Sequence, residues 1–215
     1  MQNKIFSWDK YNQNPIVGIL RGLNTEEVLQ LIPSYIKSGF YTIEITMNSP
    51  EVAQTIATLA KEYPELNVGA GTVCTMQDLT KALEAGSQFI VTPIIDEEVI
   101  KHCVANKIPI FPGAYTPSEI YKAWSLGASA VKVFPATQLG IQYIKDVLAP
   151  LNEIKLLPTG GVSVDNIKSF FEAGAVGAGM ASSLFDKKMI REGNYTDLEK
   201  HFAKMKNEIK DFIKE

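Results

Sequence analysis

Two ionisable side chains stand at the centres of apolar segments. Lys132 lies in "SAVKVFPAT" (129–137), between Val131 and Val133, and Glu44 lies in "TIEIT" (42–46), between Ile43 and Ile45. Both segments read as short strands, in which successive residues point to opposite faces. If the flanking Val and Ile residues pack outward, Lys132 points the other way with Ala130 and Phe134, and Glu44 with Thr42 and Thr46. An unpaired buried charge costs on the order of several kcal/mol. A structural ion pair between the two is the plain reading. The chemical one is covalent catalysis. Burial disfavours the ammonium and leaves a free amine, and a nearby cation such as Arg21 acts in the same direction. A free amine attacks a ketone to form a Schiff base, and the iminium then draws electrons out of a neighbouring carbon–carbon bond. That sequence needs a proton shuttle, for which Glu44 is the one suitably placed carboxylate.

These residues need elements that aim them. "SGFYTIEIT" (38–46), "AGSQFIVTP" (85–93), "LGASAVKVFP" (126–135) and "AGAVGAGMA" (173–181) each follow a helix-like run. In each, a glycine ends the helix, where it supplies a left-handed cap. Between them lie "PIVGILRG" (15–22), "LNVGAGTV" (66–73), "KIPIFPG" (107–113) and "EIKLLPTGG" (153–161). Asn24 or Thr25, Ser49-Pro50, Thr116-Pro117 and Ser163 look like helix starts. Strands alternating with helices point to a parallel sheet covered by helices. Eight such units in 215 residues predict a single-domain (β/α)8 TIM barrel over residues 1–215. An open doubly wound sheet is the alternative. "MQNKIFSWDKYNQ" predicts a short N-terminal capping helix, and "YTDLEKHFAKMKNEIKDFIKE" a final amphipathic one.

In a barrel of this kind, chemistry gathers at the C-terminal strand ends. There the sequence places Arg21, Glu44 with Asn48, Thr72, Pro93, Lys132 with Phe134, Thr159-Gly160-Gly161 and Ser182. "LPTGGV" (157–162) and "GAGMASSL" (177–184) form a second constellation. Paired glycines let backbone N–H groups approach an oxyanion, and a turn into a helix adds further donors. Ser182 can donate its hydroxyl, with Ser183 as the alternative. Together these predict phosphate binding at Gly160, Gly161 and Ser182. The segment "KKMIREGNY" (187–195) reads as a solvated loop.

The bulk properties narrow the class. A net charge of -3 gives no reason to expect nucleic acid or an anionic membrane as partner. No apolar run approaches the roughly 18–20 residues of a membrane span, and the N-terminus lacks the apolar core of a signal peptide. Two cysteines make no disulfide framework, and two distant histidines make no His-rich metal site. A cytoplasmic protein with no metal and no cofactor is the expectation.

The order "GILRG", "IEITMNSP", "VGAGTV", "FIVTP", "PIFPGAYTPSE", "AVKVFPA", "LPTGGV" resembles the 2-keto-3-deoxy-6-phosphogluconate (KDPG) aldolase family. That family also includes 4-hydroxy-2-oxoglutarate (KHG) and 2-keto-3-deoxy-6-phosphogalactonate (KDPGal) aldolases. The resemblance runs from Pro15 to Phe185. It implies a class I aldolase, usually a homotrimer and needing no metal, that acts on a phosphorylated keto-deoxy sugar acid and yields pyruvate and glyceraldehyde 3-phosphate. By position it implies Lys132 as Schiff-base lysine and Glu44 as acid/base. It places Arg21, Thr72, Thr159, Pro93 and Phe134 around the pyruvoyl end, and Gly160, Gly161 and Ser182 at the phosphate. Where many members carry an arginine that helps bind the substrate anion, this sequence has Asn48, as galactonate-type members do in a similar "NSP" context. An arginine fork holds an anion bidentately and an amide does not, so Arg21 is the alternative source of that charge. Thr159 is a residue that galactonate-type members tend to lack. The gluconate substrate is the first expectation, with the galactonate epimer or hydroxy-oxoglutarate as alternatives. Other rivals are a different phosphate-binding barrel, such as a thiamine phosphate synthase or sugar-phosphate epimerase, and a non-catalytic sugar-phosphate-binding barrel.

Overall fold

The computed structural model describes residues 5–213. Met1 to Lys4 of the expected N-terminal helix, and Lys214 and Glu215 of the expected C-terminal one, lie outside the described residues. The first half of the chain runs α1 (Trp8–Gln13), β1 (Ile16–Leu20), α2 (Thr25–Lys37), β2 (Thr42–Thr46), α3 (Val52–Glu62), β3 (Asn67–Gly71), α4 (Met76–Glu84), β4 (Phe89–Val91) and α5 (Glu97–Ala105). There follow β5 (Ile110–Phe111), β6 (Gly113–Ala114), α6 (Pro117–Ser125), β7 (Val131–Val133) and α7 (Ala136–Leu148). The last part is β8 (Leu156–Pro158), α8 (Ile167–Glu172), β9 (Ala178–Met180), α9 (Lys187–Arg191), α10 (Tyr195–Glu208) and a 3-10 turn (Lys210–Phe212).

All the strand pairings are parallel, but the strands fall into two sheets rather than the single eight-stranded barrel expected. Six strands pair in the order β5-β4-β3-β2-β1-β9, and three in the order β6-β7-β8. Prolines stand at both seams and supply the reason, since proline has no N–H to give to a ladder. Pro112 splits the expected fifth strand, so that β5 pairs with β4 and β6 with β7. Its carbonyl still accepts the Lys132 N–H at 2.9 Å. Pro158 ends β8, and an isolated bridge from Thr159 to Gly179 follows. The Val176 N–H donates to the Leu156 carbonyl at 3.0 Å on the same seam.

Helix starts follow the side chains available. Asn24 and Glu27 form a capping box on α2, and Thr116 and Glu119 one on α6. Two expected starts shift. The Ser49 hydroxyl is held by the Thr46 hydroxyl at 2.9 Å and by the Gly22 N–H at 3.0 Å. The cap position of α3 therefore passes to Glu51, in the left-handed region at φ 53. Ser163 lies in a turn before α8, its N–H donating to Asn166 Oδ1 at 2.9 Å. A third correction is α9, which replaces the expected loop because Asp186 accepts the N–H groups of Lys188 and Met189.

The core has two compartments. The larger lies between strands and helices and takes Ile43 and Ile45 of β2, Val68 and Ala70 of β3, and Val131 and Val133 of β7. The smaller gathers the residues of opposite parity: Val17, Phe89, Val91, Phe111, Ala130 and Leu157. Phe6 and Tyr11 belong to the smaller one, with Phe6 edge-on to Phe89 at 5.3 Å and Tyr11 stacked on Phe111 at 6.2 Å. Residues 6–13 thus cap the N-terminal ends of the strands with aromatic surface. The opposite ends carry Arg21, Thr72, Thr92 and Thr159 among apolar neighbours.

Candidate active site

Lys132 is 4% exposed and Glu44 1% exposed, each flanked by residues of the larger core. Strand alternation therefore turns both inward. Gly113 and Leu157 are the register partners of Lys132, and Ile19 and Gly69 those of Glu44. None of the ion pairs among the described residues joins the two. The Glu44 Oε2 has no hydrogen-bond partner, and the Lys132 Nζ sits 4.8 Å from the Phe134 ring centroid. Burial pushes the lysine pKa down; the Glu44 charge opposes this and Arg21 reinforces it. Burial pushes the Glu44 carboxyl up, against the pull of Lys132 and Arg21. Both directions favour a free amine beside a protonated acid, a pair ready for nucleophilic attack and proton donation.

Room for that carboxyl depends on Gly71, where a Cβ would collide with the Glu44 carboxylate. Gly71→Ala is expected to displace Glu44, lower kcat at least 10-fold and destabilise the fold by about 1–3 kcal/mol, the usual cost of overpacking. Steady-state kinetics with urea unfolding checks both, and unchanged values in both would show that the carboxyl has space to spare.

Above the pair opens a cleft of about 390 Å³. Seven of the expected residues line it: Arg21, Lys132, Phe134, Thr159, Gly160, Gly161 and Ser182. Thr72 joins its rim by accepting an Arg21 guanidinium N–H at 3.5 Å, its own backbone left-handed at φ 59. A non-glycine residue in that region is uncommon and marks a constrained position. Glu44 lies deeper, close to Thr159 and Gly179 in a space too tight for a water molecule. Gly179 permits that close packing, because a Cβ there would strike the Thr159 side chain.

Two expected residues stand outside the cleft lining. Asn48 is exposed in the tight turn closed by the Ser49 N–H to Thr46 carbonyl bond. Pro93 has its backbone carbonyl against Gly113.

The glycine turn is rigidly held. Gly160 and Gly161 take φ 87 and 76, which only glycine adopts without strain. The Asn166 Nδ2 donates to the Gly161 carbonyl at 2.8 Å. The Ser183 hydroxyl donates to the Val162 carbonyl, tying the turn after β8 to the turn after β9. His201 Nε2 meets the Ser183 carbonyl at 2.7 Å from behind. Ser183 is thus engaged in structure, while Ser182 is exposed on the cleft.

Sequence reasoning missed Lys187, Ser163, Leu23 and Phe185, which also line the cleft. The signal for Lys187 was Asp186 as a helix cap, which converts a supposed loop into an anchored helix start. A larger groove, about 800 Å³, lies at the other end of the strands and includes Trp8, Tyr11, Phe111, Trp124 and Lys155. Ala130, Lys155 and Val176 there all precede their strands, and Lys155 is its one charged side chain among the described residues.

Comparison with known proteins agrees with this geometry. The family model described as KDPG and KHG aldolase matches residues 8–201. The chain belongs to the KDPG and KHG aldolase family. As a member of this aldolase family it is a carbon–carbon lyase. It is 37% identical over 173 residues to the 2-dehydro-3-deoxy-6-phosphogalactonate aldolase of Escherichia coli, covering 80% of this chain and 84% of that one. To the 2-dehydro-3-deoxy-phosphogluconate aldolase of Haemophilus influenzae it is 31% identical over 207 residues, 96% of each chain. Among solved structures, the native KDPGal structure superposes with a TM-score of 0.85 at 32% identity, covering 93% of this chain and 96% of that one. KDPG and KHG aldolases of both substrate types are therefore among its relatives, and its parallel α/β architecture is theirs.

Proposed function

We propose that this aldolase works through a Schiff base on Lys132 and cleaves 2-keto-3-deoxy-6-phosphogluconate to pyruvate and glyceraldehyde 3-phosphate. The observation that carries the proposal is Lys132, 4% exposed and unpaired with Glu44, at the inner end of a cleft whose outer end holds Gly160, Gly161 and Ser182. The Lys132 amine attacks the C2 ketone to give a carbinolamine. Glu44 protonates the departing hydroxyl, water leaves and the iminium forms. The Glu44 carboxylate then takes the proton of the C4 hydroxyl. The C3–C4 electrons move to the iminium nitrogen, releasing glyceraldehyde 3-phosphate and an enamine. Protonation at C3 and hydrolysis return pyruvate and the free amine. Arg21 with Thr72 holds the carboxylate, Thr159 and Phe134 the pyruvoyl wall, and the glycine turn with Ser182 the phosphate. Pro93 and Asn48 are assigned substrate contacts by their places in the family motifs, although both stand outside the cleft lining.

The family architecture supports one further step: the two sheets are arcs of a single (β/α)8 barrel over residues 1–215, meeting at residues 110–114 and at the Thr159–Gly179 bridge. A cytoplasmic homotrimer, without metal or cofactor, completes the proposal.

A second reading takes the galactonate epimer as substrate. Asn48 and the 37% identity to a galactonate-type relative favour it. Borohydride reduction in the presence of pyruvate is expected to leave an adduct on the peptide containing Lys132. No adduct there would overturn the Schiff-base mechanism. Pyruvate release from the two epimers, assayed side by side with hydroxy-oxoglutarate, then ranks the substrates, and a galactonate preference of 10-fold or more would replace the first reading by the second.

A further inference from the structure

The substrate proposed above carries two anionic ends, a carboxylate and a phosphate, and the cleft presents two exposed cations. Arg21 follows β1 and is engaged with Thr72 at 3.5 Å. Lys187 begins α9 and lines the same cleft with Gly161, Ser163 and Ser182. Its Nζ lies within 3.8 Å of the point that a Cβ on Gly22 would occupy, which sets the ammonium beside the turn between Arg21 and Leu23, two residues of the same cleft. No ion pair among the described residues takes it. The adjacent acid, Asp186, is turned away into capping the N–H groups of Lys188 and Met189. The next lysine, Lys188, is in a different situation, facing Glu192 at 4.0 Å outside the cleft.

The glycine turn and Ser182 offer a phosphate hydrogen bonds but no formal charge. A phosphate monoester carries about -1.5 to -2 at neutral pH, and Lys132 is held toward its neutral form. A compact ammonium on a flexible stem suits such an anion as a point charge.

We propose that Lys187 is the cation of the phosphate end, closing over the phosphate from α9 while Arg21 serves the carboxylate, and so sets the preference for phosphorylated substrates. This rests on the aldolase reading for the identity of the substrate, but its test does not use turnover. Lys187 is exposed and in no ion pair among the described residues, so its replacement is expected to leave the fold intact. Glycerol 3-phosphate, a non-reacting three-carbon phosphate, is titrated into wild type, Lys187→Met, Lys187→Arg and Lys188→Met by calorimetry. Affinity is expected to fall about 10-fold or more in Lys187→Met, as for loss of a charged hydrogen bond. Lys187→Arg is expected to keep most of it, and Lys188→Met all of it. Binding by Lys187→Met within twofold of wild type would overturn the proposal, as would an equal loss in Lys188→Met, which would mark a diffuse field rather than a contact. Pyruvate trapping on wild type separates the two readings: phosphate binding that depends on Lys187 without a trapped adduct would remove the Schiff base and leave the anion contact standing.

Discussion

Lys132→Met is expected to abolish the borohydride-trapped pyruvate adduct and to lower kcat/KM by about 10⁴-fold or more, as loss of a nucleophile does. The variant should nevertheless fold at least as stably as wild type. Methionine fills a similar volume without a charge to desolvate, and apolar replacement of buried ionic groups is commonly neutral or stabilising. The pH dependence gives a sharper check. Burial holds the folded-state pKa of Lys132 below its unfolded value. A group shifted that way contributes stability that is fully present above the unfolded value, about 10.4, and is lost as pH falls through the folded one. Wild type should therefore lose ground to Lys132→Met progressively as pH is lowered through the depressed pKa, readable in urea midpoints across a pH series. Adduct formation by wild type should rise with pH across the same window, because the amine is the attacking form. Retained turnover, or an adduct mapped elsewhere, would refute Lys132 as the nucleophile.

What could be read from the sequence follows from what a strand enforces. Alternation alone turns Lys132 and Glu44 inward, because Val131, Val133, Ile43 and Ile45 can satisfy only one face, and the core compartments divide as that rule requires. The seams were harder to read. Pro112 and Pro158 are visible in the sequence, yet which side of a strand their missing N–H groups face depends on register. Ser49 shows a different limit. Its residue type and the following proline suit a helix cap, but Thr46 and Gly22 take its hydroxyl, a tertiary competition no local pattern records. Lys187 was hidden for the same reason. Its helix is only Lys187–Arg191, too short for periodicity to show, and the side chain reaches Gly22, far away in sequence.

Glu44→Gln is the second large effect expected, a fall in kcat of about 10²–10⁴-fold, the usual range for loss of a general acid–base group. The amide keeps the shape of the carboxyl but cannot move a proton. Two linked shifts distinguish this role from a packing defect. The Glu44 charge is the larger of the two influences, with Cys74, that raise the Lys132 pKa, so removing it should move the acidic limb of adduct formation to lower pH. Stability should change in the opposite sense to the lysine case. The folded-state pKa of Glu44 is raised by burial, so its contribution is present below the unfolded value, about 4.3, and is lost as pH rises through the folded one. Wild type bears the cost of the buried carboxylate above that point and the glutamine variant does not. The variant should gain on wild type as pH rises, the gap closing in acid, where the unpartnered Oε2 can carry its own proton. A kcat within 10-fold of wild type would remove Glu44 from the proton path. A stability gap independent of pH would show that the folded-state pKa of Glu44 equals its unfolded value, so that burial does not hold a proton on the carboxyl, and proton delivery would then have to come from water admitted through the cleft.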